Sequence, residues 1–316
     1  MCSGPISIAA RWRRLSPNIT AGNGVSGEAI LRQPEPDAAN TARRDWSDLG
    51  ARIASGLVLA AAGGAAAWFG GPWLAGACGA AVVVMSYEWA RMSEPEATMP
   101  AFLLALIGSL GAVMFASWGY LAFGVAWMAA AALISTTRRR SLAAVLETAG
   151  GALYVGLPCA LFLWLRDRAP EGLETILTLF ACIWAADIFA YFGGKLIGGP
   201  RIARGLSPNK TWSGIIAGVL AGAVAGYACG AVFGAVGGKQ AIWVAVGALI
   251  AFTGLMGDLF ESFLKRRFGV KDASRIIPGH GGVLDRIDGL MAATLLTGAV
   301  LSAWPRLSAW LIGEGL

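Results

Sequence analysis

The chain has 316 residues, of which 56% are hydrophobic and only 14% charged, with 44 glycines and a formal net charge of +6. A soluble domain carries about 25% charged residues, so this composition excludes a water-soluble globular protein and a polar disordered one alike. Apolar runs of about 18 residues or more recur, long enough to cross a ~30 Å hydrocarbon core as helices, and the ~10-residue alternation of a membrane β-barrel is not seen. The chain reads as an all-α polytopic membrane protein.

Residues 1–48 differ from the rest: they are polar, rich in Pro, Gly and Asn, and carry Arg11, Arg13, Arg14, Arg43 and Arg44. They lack a signal peptide's apolar core and are expected to form a largely disordered cytoplasmic tail, unless the start codon lies further downstream. Residues 49–316 form the expected transmembrane domain. Its nine spans are predicted near 52–69, 72–90, 100–117, 119–135, 142–165, 173–193, 211–236, 240–264 and 289–312, with short connections near Gly70 and Trp118. Cys78, Cys159, Cys182 and Cys229 fall within these spans and Cys2 in the tail, with no CxxC spacing, so neither a disulfide framework nor a zinc site is expected.

Charge bias gives the orientation. With the N-terminus inside, the loops after spans 2, 4, 6 and 8 carry fourteen basic residues: Arg91; Arg138, Arg139 and Arg140; Lys195, Arg201, Arg204 and Lys210; Lys265, Arg266, Arg267, Lys271, Arg275 and Arg286. The outward loops hold only Arg166, Arg168 and Lys239. The positive-inside rule therefore predicts a cytoplasmic N-terminus and an outward C-terminus. The net positive charge belongs to this inner rim, and no nucleic-acid partner is needed to explain it.

In the seventh span glycine recurs every fourth residue, at Gly214, Gly218, Gly222, Gly226, Gly230 and Gly234. On a helix this makes a strip that lets another backbone approach closely, within the bundle or between protomers.

Chemistry is expected where polar groups interrupt the apolar pattern, because an ionisable group at membrane depth is expensive. Three such places occur, all on the predicted cytoplasmic side. In "WAADIFAYFGGK", Asp187, Tyr191 and Lys195 are spaced i, i+4, i+8 and share one helix face. In "RGLSPNKTWSG", Ser207 followed by Pro208 reads as an N-cap and first helical turn, where free backbone N–H groups, Lys210 and Thr211 would converge on an anion. The third lies in 257–289. Asp258, Ser262 and Lys265 share a face with Glu261 alongside. A basic loop, Gly279-His280-Gly281-Gly282, and then Asp285 and Asp288 follow. The last two are i, i+3, on one face of the first turn of the ninth helix. Paired carboxylates beside Lys and Arg suit a divalent metal with a polyphosphate, and the glycines let backbone approach that ligand.

The string Ser262-x-x-Lys265-Arg266-x₄-Lys271-Asp272-x₅-Pro278-Gly279-His280-Gly281-Gly282-x-x-Asp285-Arg286-x-Asp288 resembles the signature of bacterial phosphatidate cytidylyltransferases, also called CDP-diglyceride synthases. "DIFAYFGGK" and "SPNKTWSG" resemble that family's upstream motifs. The resemblance is close over about 180–290, the expected catalytic part. It departs at Asn209 and Ser213, where the family more often has Lys and Glu. It implies the reaction of CTP with phosphatidate to CDP-diacylglycerol and pyrophosphate, in the inner membrane of a bacterium. It also implies Mg²⁺, with a monovalent partner such as K⁺, and a homodimer.

On the resemblance and the chemistry together, Asp258, Asp285 and Asp288 are the expected metal ligands and, with Lys265, the catalytic set. Lys210, Thr211, Ser262, Arg266, Lys271, His280, Gly281, Gly282 and Arg286 are the expected contacts to the phosphates of CTP and phosphatidate. Asp187, Tyr191, Lys195 and Ser207 rank behind them. The nucleophile is a phosphate already anionic near neutral pH, so His280 is expected to orient the loop or touch phosphate rather than act as a base. Two alternatives stay open on residues alone. One is a CTP-dependent transferase with a polyprenol or ether-lipid acceptor; the other is a transporter using Asp187 and Asp258 as coupling sites.

Overall fold

The structure, a computed structural model, describes residues 56–138, 142–169, 171–203, 205–233, 239–274, 276, 281–304 and 307. The expected tail at 1–48 lies outside them. Among the described residues nine helices occur at the nine places the apolar runs predict. They are α1 (Gly56–Phe69), α2 (Gly71–Ser93), α3 (Thr98–Ser117), α4 (Leu121–Arg138), α5 (Leu142–Arg168), α6 (Gly172–Leu196), α7 (Trp212–Val232), α8 (Gln240–Arg267) and α9 (Leu284–Ala303). Seven of them, α2, α3 and α5 to α9, are long and apolar enough to cross a membrane. Gly56–Phe69 and Leu121–Ile134 are shorter apolar helices.

The breaks have local causes. α1 and α2 are separated by Gly70 alone, at φ +63°, a left-handed conformation that costs a residue without Cβ little. Pro72 then sits in the first turn of α2, where its missing N–H is no loss. Helices α2 to α5 pack on one another, α6 to α9 do likewise, and α5 joins the groups by packing on α6 and α9. Large apolar side chains such as Leu57, Trp73, Leu133, Leu220 and Val224 are exposed on the outside, which is the surface a bilayer solvates. The molecule is thus a polytopic all-α membrane protein.

The glycine strip of α7 is consumed inside the chain: Gly214, Gly218, Gly222, Gly226 and Gly230 are all buried, while Gly234 is outside the described residues. A Cβ on Gly214 or Gly218 would meet the carbonyls of Ala190 or Ala186 on α6 at 2.8 and 2.9 Å. A Cβ on Gly226 would meet the Trp243 carbonyl on α8 at 2.3 Å. One strip therefore seats α7 against two neighbours.

Two readings of the elements are corrected. Ser207 does not cap α7. Residues Ser207–Thr211 form a strand, β2, paired antiparallel with β1 (Arg201–Ala203). The hairpin takes the backbone groups that a helix start would have left free. Thr211 is the cap instead, in extended conformation, its Oγ1 accepting from Gly214 N at 3.1 Å. The last helix runs from Leu284 to Ala303 rather than over 289–312, because its first turn is capped from elsewhere in the chain.

Candidate active site

The ends of α2, α6 and α8, the hairpin with the start of α7, and the start of α9 meet at one end of the bundle. A cavity of about 1080 Å³ opens there. Along α6 its wall runs from Ile183 through Asp187 and Tyr191 to Lys195, twelve residues and so about 18 Å at 1.5 Å per residue. The cavity therefore reaches about halfway along a helix long and apolar enough to cross a membrane. Its size exceeds the upper range of about 1,000 Å³ for small-molecule sites.

The acidic wall comes from α8 and α9. Asp258, Glu261 and Asp288 each offer an oxygen within 4.8 Å of the other two. Glu261 and Asp288 are buried, and no donor among the described residues reaches Glu261 Oε1. Buried carboxylate oxygens gathered in this way repel one another unless a cation lies between them. Hard oxygen donors at such spacing suit Mg²⁺.

Cations already crowd the cluster. Lys265 Nζ lies 2.6 Å from Glu261 Oε2 and 2.8 Å from Asp285 Oδ1. Lys210, carried by β2, reaches Asp258 Oδ2 at 2.5 Å. Asp285 is not one of the close triplet but lies beside Glu261, and besides Lys265 it accepts from the amides of Gly282, at 2.9 Å, and Ala273. Helix geometry explains the grouping, since Asp258, Glu261 and Lys265 follow i, i+3, i+7 on α8.

The other expected residues divide cleanly. Asp187, Tyr191, Lys195, Ser207, Thr211, Gly281 and Arg286 line the cavity with the groups above. Lys195 Nζ donates to Tyr191 Oη at 3.3 Å. Asn209 lines it too, while Ser213 turns to hydrogen-bond the Gly198 carbonyl. Ser262, Arg266 and Lys271 are not among the lining residues. Arg266 instead spans from Leu206 O, at 3.4 Å, to Val270 O. Gly282 faces inward, where a Cβ would lie 2.7 Å from Glu88 Oε1. His280 lies outside the described residues.

Two carboxylates carry more of the site than the sequence reading gave them. The sequence pattern sets Glu261 beside Asp258 without giving it a role, although i+3 spacing places it on the same face. Glu88, on α2, is fully buried and touches the site only from behind. Its sequence signal was an acid inside an otherwise apolar span.

The cytidylyltransferase family model matches residues 50–304. A phosphatidate cytidylyltransferase of Brucella abortus is 37% identical over 252 residues, covering 79% of this chain and 92% of that protein. One from Pseudomonas aeruginosa is 37% identical over 233 residues, covering 71% and 86%. One from Staphylococcus aureus matches over a shorter stretch of 140 residues, again at 37%, covering 44% of this chain and 52% of that protein. With its match running from the first described helix to the last, the chain belongs to the cytidylyltransferase family.

Proposed function

We propose that this chain is a phosphatidate cytidylyltransferase, transferring CMP from CTP to phosphatidate to give CDP-diacylglycerol and pyrophosphate. The relatives carry that name. The observation that carries it to this molecule is a cluster of three carboxylates facing Lys210 and Lys265 in a cavity that opens at one end of a membrane-spanning bundle. Such a place can receive a soluble triphosphate and a bilayer-borne phosphate together. The described basic residues that follow α2, α6 and α8 gather at the same end, so that end is proposed to be cytoplasmic, with the N-terminus inside.

In the reaction, an oxygen of the phosphatidate phosphate forms a bond to the α-phosphorus of CTP while the bond from that phosphorus to the β-phosphate oxygen breaks. Pyrophosphate leaves with the electron pair. Such transfers depend on alignment and charge neutralisation more than on a base. Asp258, Glu261 and Asp288 would hold Mg²⁺, with Asp285 as a fourth carboxylate joined to them through Lys265 and available to a monovalent ion such as K⁺. Bound Mg²⁺ would supply neutralisation of the triphosphate and of the departing pyrophosphate. Lys210, Lys265 and Arg286 present cations to the phosphates, with Thr211 on the cavity wall beside them. Lys195 and Tyr191, at the outer edge of the cavity, suit the lipid headgroup. A homodimer is the proposed assembly on the family's pattern alone, since α7 spends its glycines within the chain.

The test is product formation by the detergent-purified protein from labelled CTP, with phosphatidate, a polyprenyl phosphate or an ether-lipid phosphate as acceptor. CDP-diacylglycerol from phosphatidate alone is expected. Product from another acceptor in its place would overturn the substrate assignment, and no lipid product with any acceptor would overturn the reaction.

A further inference from the structure

α9 carries Asp285 and Asp288, yet its own sequence gives it no cap: Val283 stands at the N-cap position with no side-chain hydrogen bond. The cap comes from α2. Glu88 Oε2 accepts from Leu284 N at 2.8 Å, and Oε1 accepts from Val283 N at 3.0 Å and Ser274 Oγ at 2.5 Å. A carboxylate at a helix N-terminus satisfies free amides and complements the helix dipole. Gly282 leaves the space it needs, since any Cβ there would collide with this carboxylate.

The neighbouring residue fixes the other end of the same segment. Trp89 packs edge-on against Phe268, directly after α8, with ring centroids 5.6 Å apart, and its Nε1 donates to Glu147 O at 2.8 Å. The pair Glu88-Trp89 thus holds the exit of α8 and the start of α9. Further along, the two helices touch through glycine: a Cβ on Gly257 would lie 3.0 Å from Asp288 O, and one on Gly289 3.2 Å from Gly254 O. Between that contact and the loop, the turn bearing Asp285 is placed by Glu88.

We infer that Glu88 is a positioning residue for the carboxylate centre: by capping α9 from α2 it sets where Asp285 and Asp288 stand against Asp258, Glu261 and Lys265. It is fully buried and does not itself line the cavity. The inference rests on the proposed metal-dependent reaction, and its test separates the two. Glu88→Gln keeps the size but turns one acceptor into a donor, so one of its three partners meets a like group. Glu88→Asp keeps both acceptors with a shorter reach. Val82→Ala, at another fully buried position of α2, serves as the purely structural comparison.

The first readout is Mn²⁺ binding to the purified full-length proteins, followed by electron paramagnetic resonance; the second is turnover at saturating CTP. Expected is Mn²⁺ affinity about ten-fold weaker in Glu88→Gln, the scale of losing a support behind metal ligands, with kcat falling more than KM for CTP rises. Glu88→Asp should recover part of both, and Val82→Ala should lower thermal stability without moving Mn²⁺ affinity. Parental Mn²⁺ affinity in Glu88→Gln, or an equal loss in Val82→Ala at the same folded fraction, would overturn the inference. A parent that binds no Mn²⁺ would remove the metal reading on which it rests. A parent that binds Mn²⁺ but makes no product would sink the reaction and leave the positioning role standing.

Discussion

At the scale of single residues, Lys265 decides whether the acidic wall can exist. It is one amine between Glu261, whose side chain is 2% exposed, and Asp285, at 9%. Removing one partner of a buried ion pair costs about 3–5 kcal/mol, because it strands the other charge. Lys265→Ala is therefore expected to lower the melting temperature in detergent and to abolish turnover. Lys265→Arg should recover stability more than activity, since a planar guanidinium cannot reproduce a point charge reaching two carboxylates. A Lys265→Ala protein that melts with the parent would contradict this account. Most of the site was legible at this scale, because helical spacing alone puts Asp187, Tyr191 and Lys195 on one wall and Asp258 and Lys265 on another. What spacing could not choose was between Glu261 and Ser262. Both lie one turn from Asp258, and only the direction from which α9 packs makes the i+3 position face the cavity. Glu88 was less legible still, as its partners Val283 and Leu284 lie 195 and 196 residues away.

At the scale of elements, the seating of α7 against α8 depends on absent side chains. A Cβ on Gly247 would lie 2.2 Å from Gly222 O, and backbone of a packed helix cannot step aside. Gly247→Val should cost at least the about 1–3 kcal/mol typical of overpacking. Gly63→Ala, inside α1 at a position with nothing within 4 Å of the added carbon, should not lower stability. Thermal unfolding of the two variants beside the parent checks this, and equal melting would refute the close approach. The four-residue glycine period announced that contact in the sequence. It did not say which helices would use it, since a strip of small residues serves α6, α8 or a second chain equally well. The hairpin was missed for a related reason. Ser-Pro reads as a helix start in isolation, and only pairing with Arg201–Ala203 makes it a strand.

At the scale of the whole molecule, the nine apolar runs correspond to nine helices among the described residues, and seven of these are long and apolar enough to match the thickness of a bilayer. The proposed orientation is tested with Lys271→Cys in a cysteine-free background and a membrane-impermeant maleimide. Lys271 is exposed just beyond α8 and should react in inside-out vesicles and stay protected in sealed right-side-out ones. The reverse pattern would invert the topology. The central claim is that the carboxylates gathered by α8 and α9 transfer a nucleotide to a membrane lipid. It is tested most directly by pyrophosphate release from CTP, Mg²⁺ and phosphatidate, in the parent and in Asp288→Asn side by side. The account predicts release that needs all three components and disappears in a variant that still folds. Full activity of Asp288→Asn at saturating Mg²⁺, or release without lipid, would contradict it.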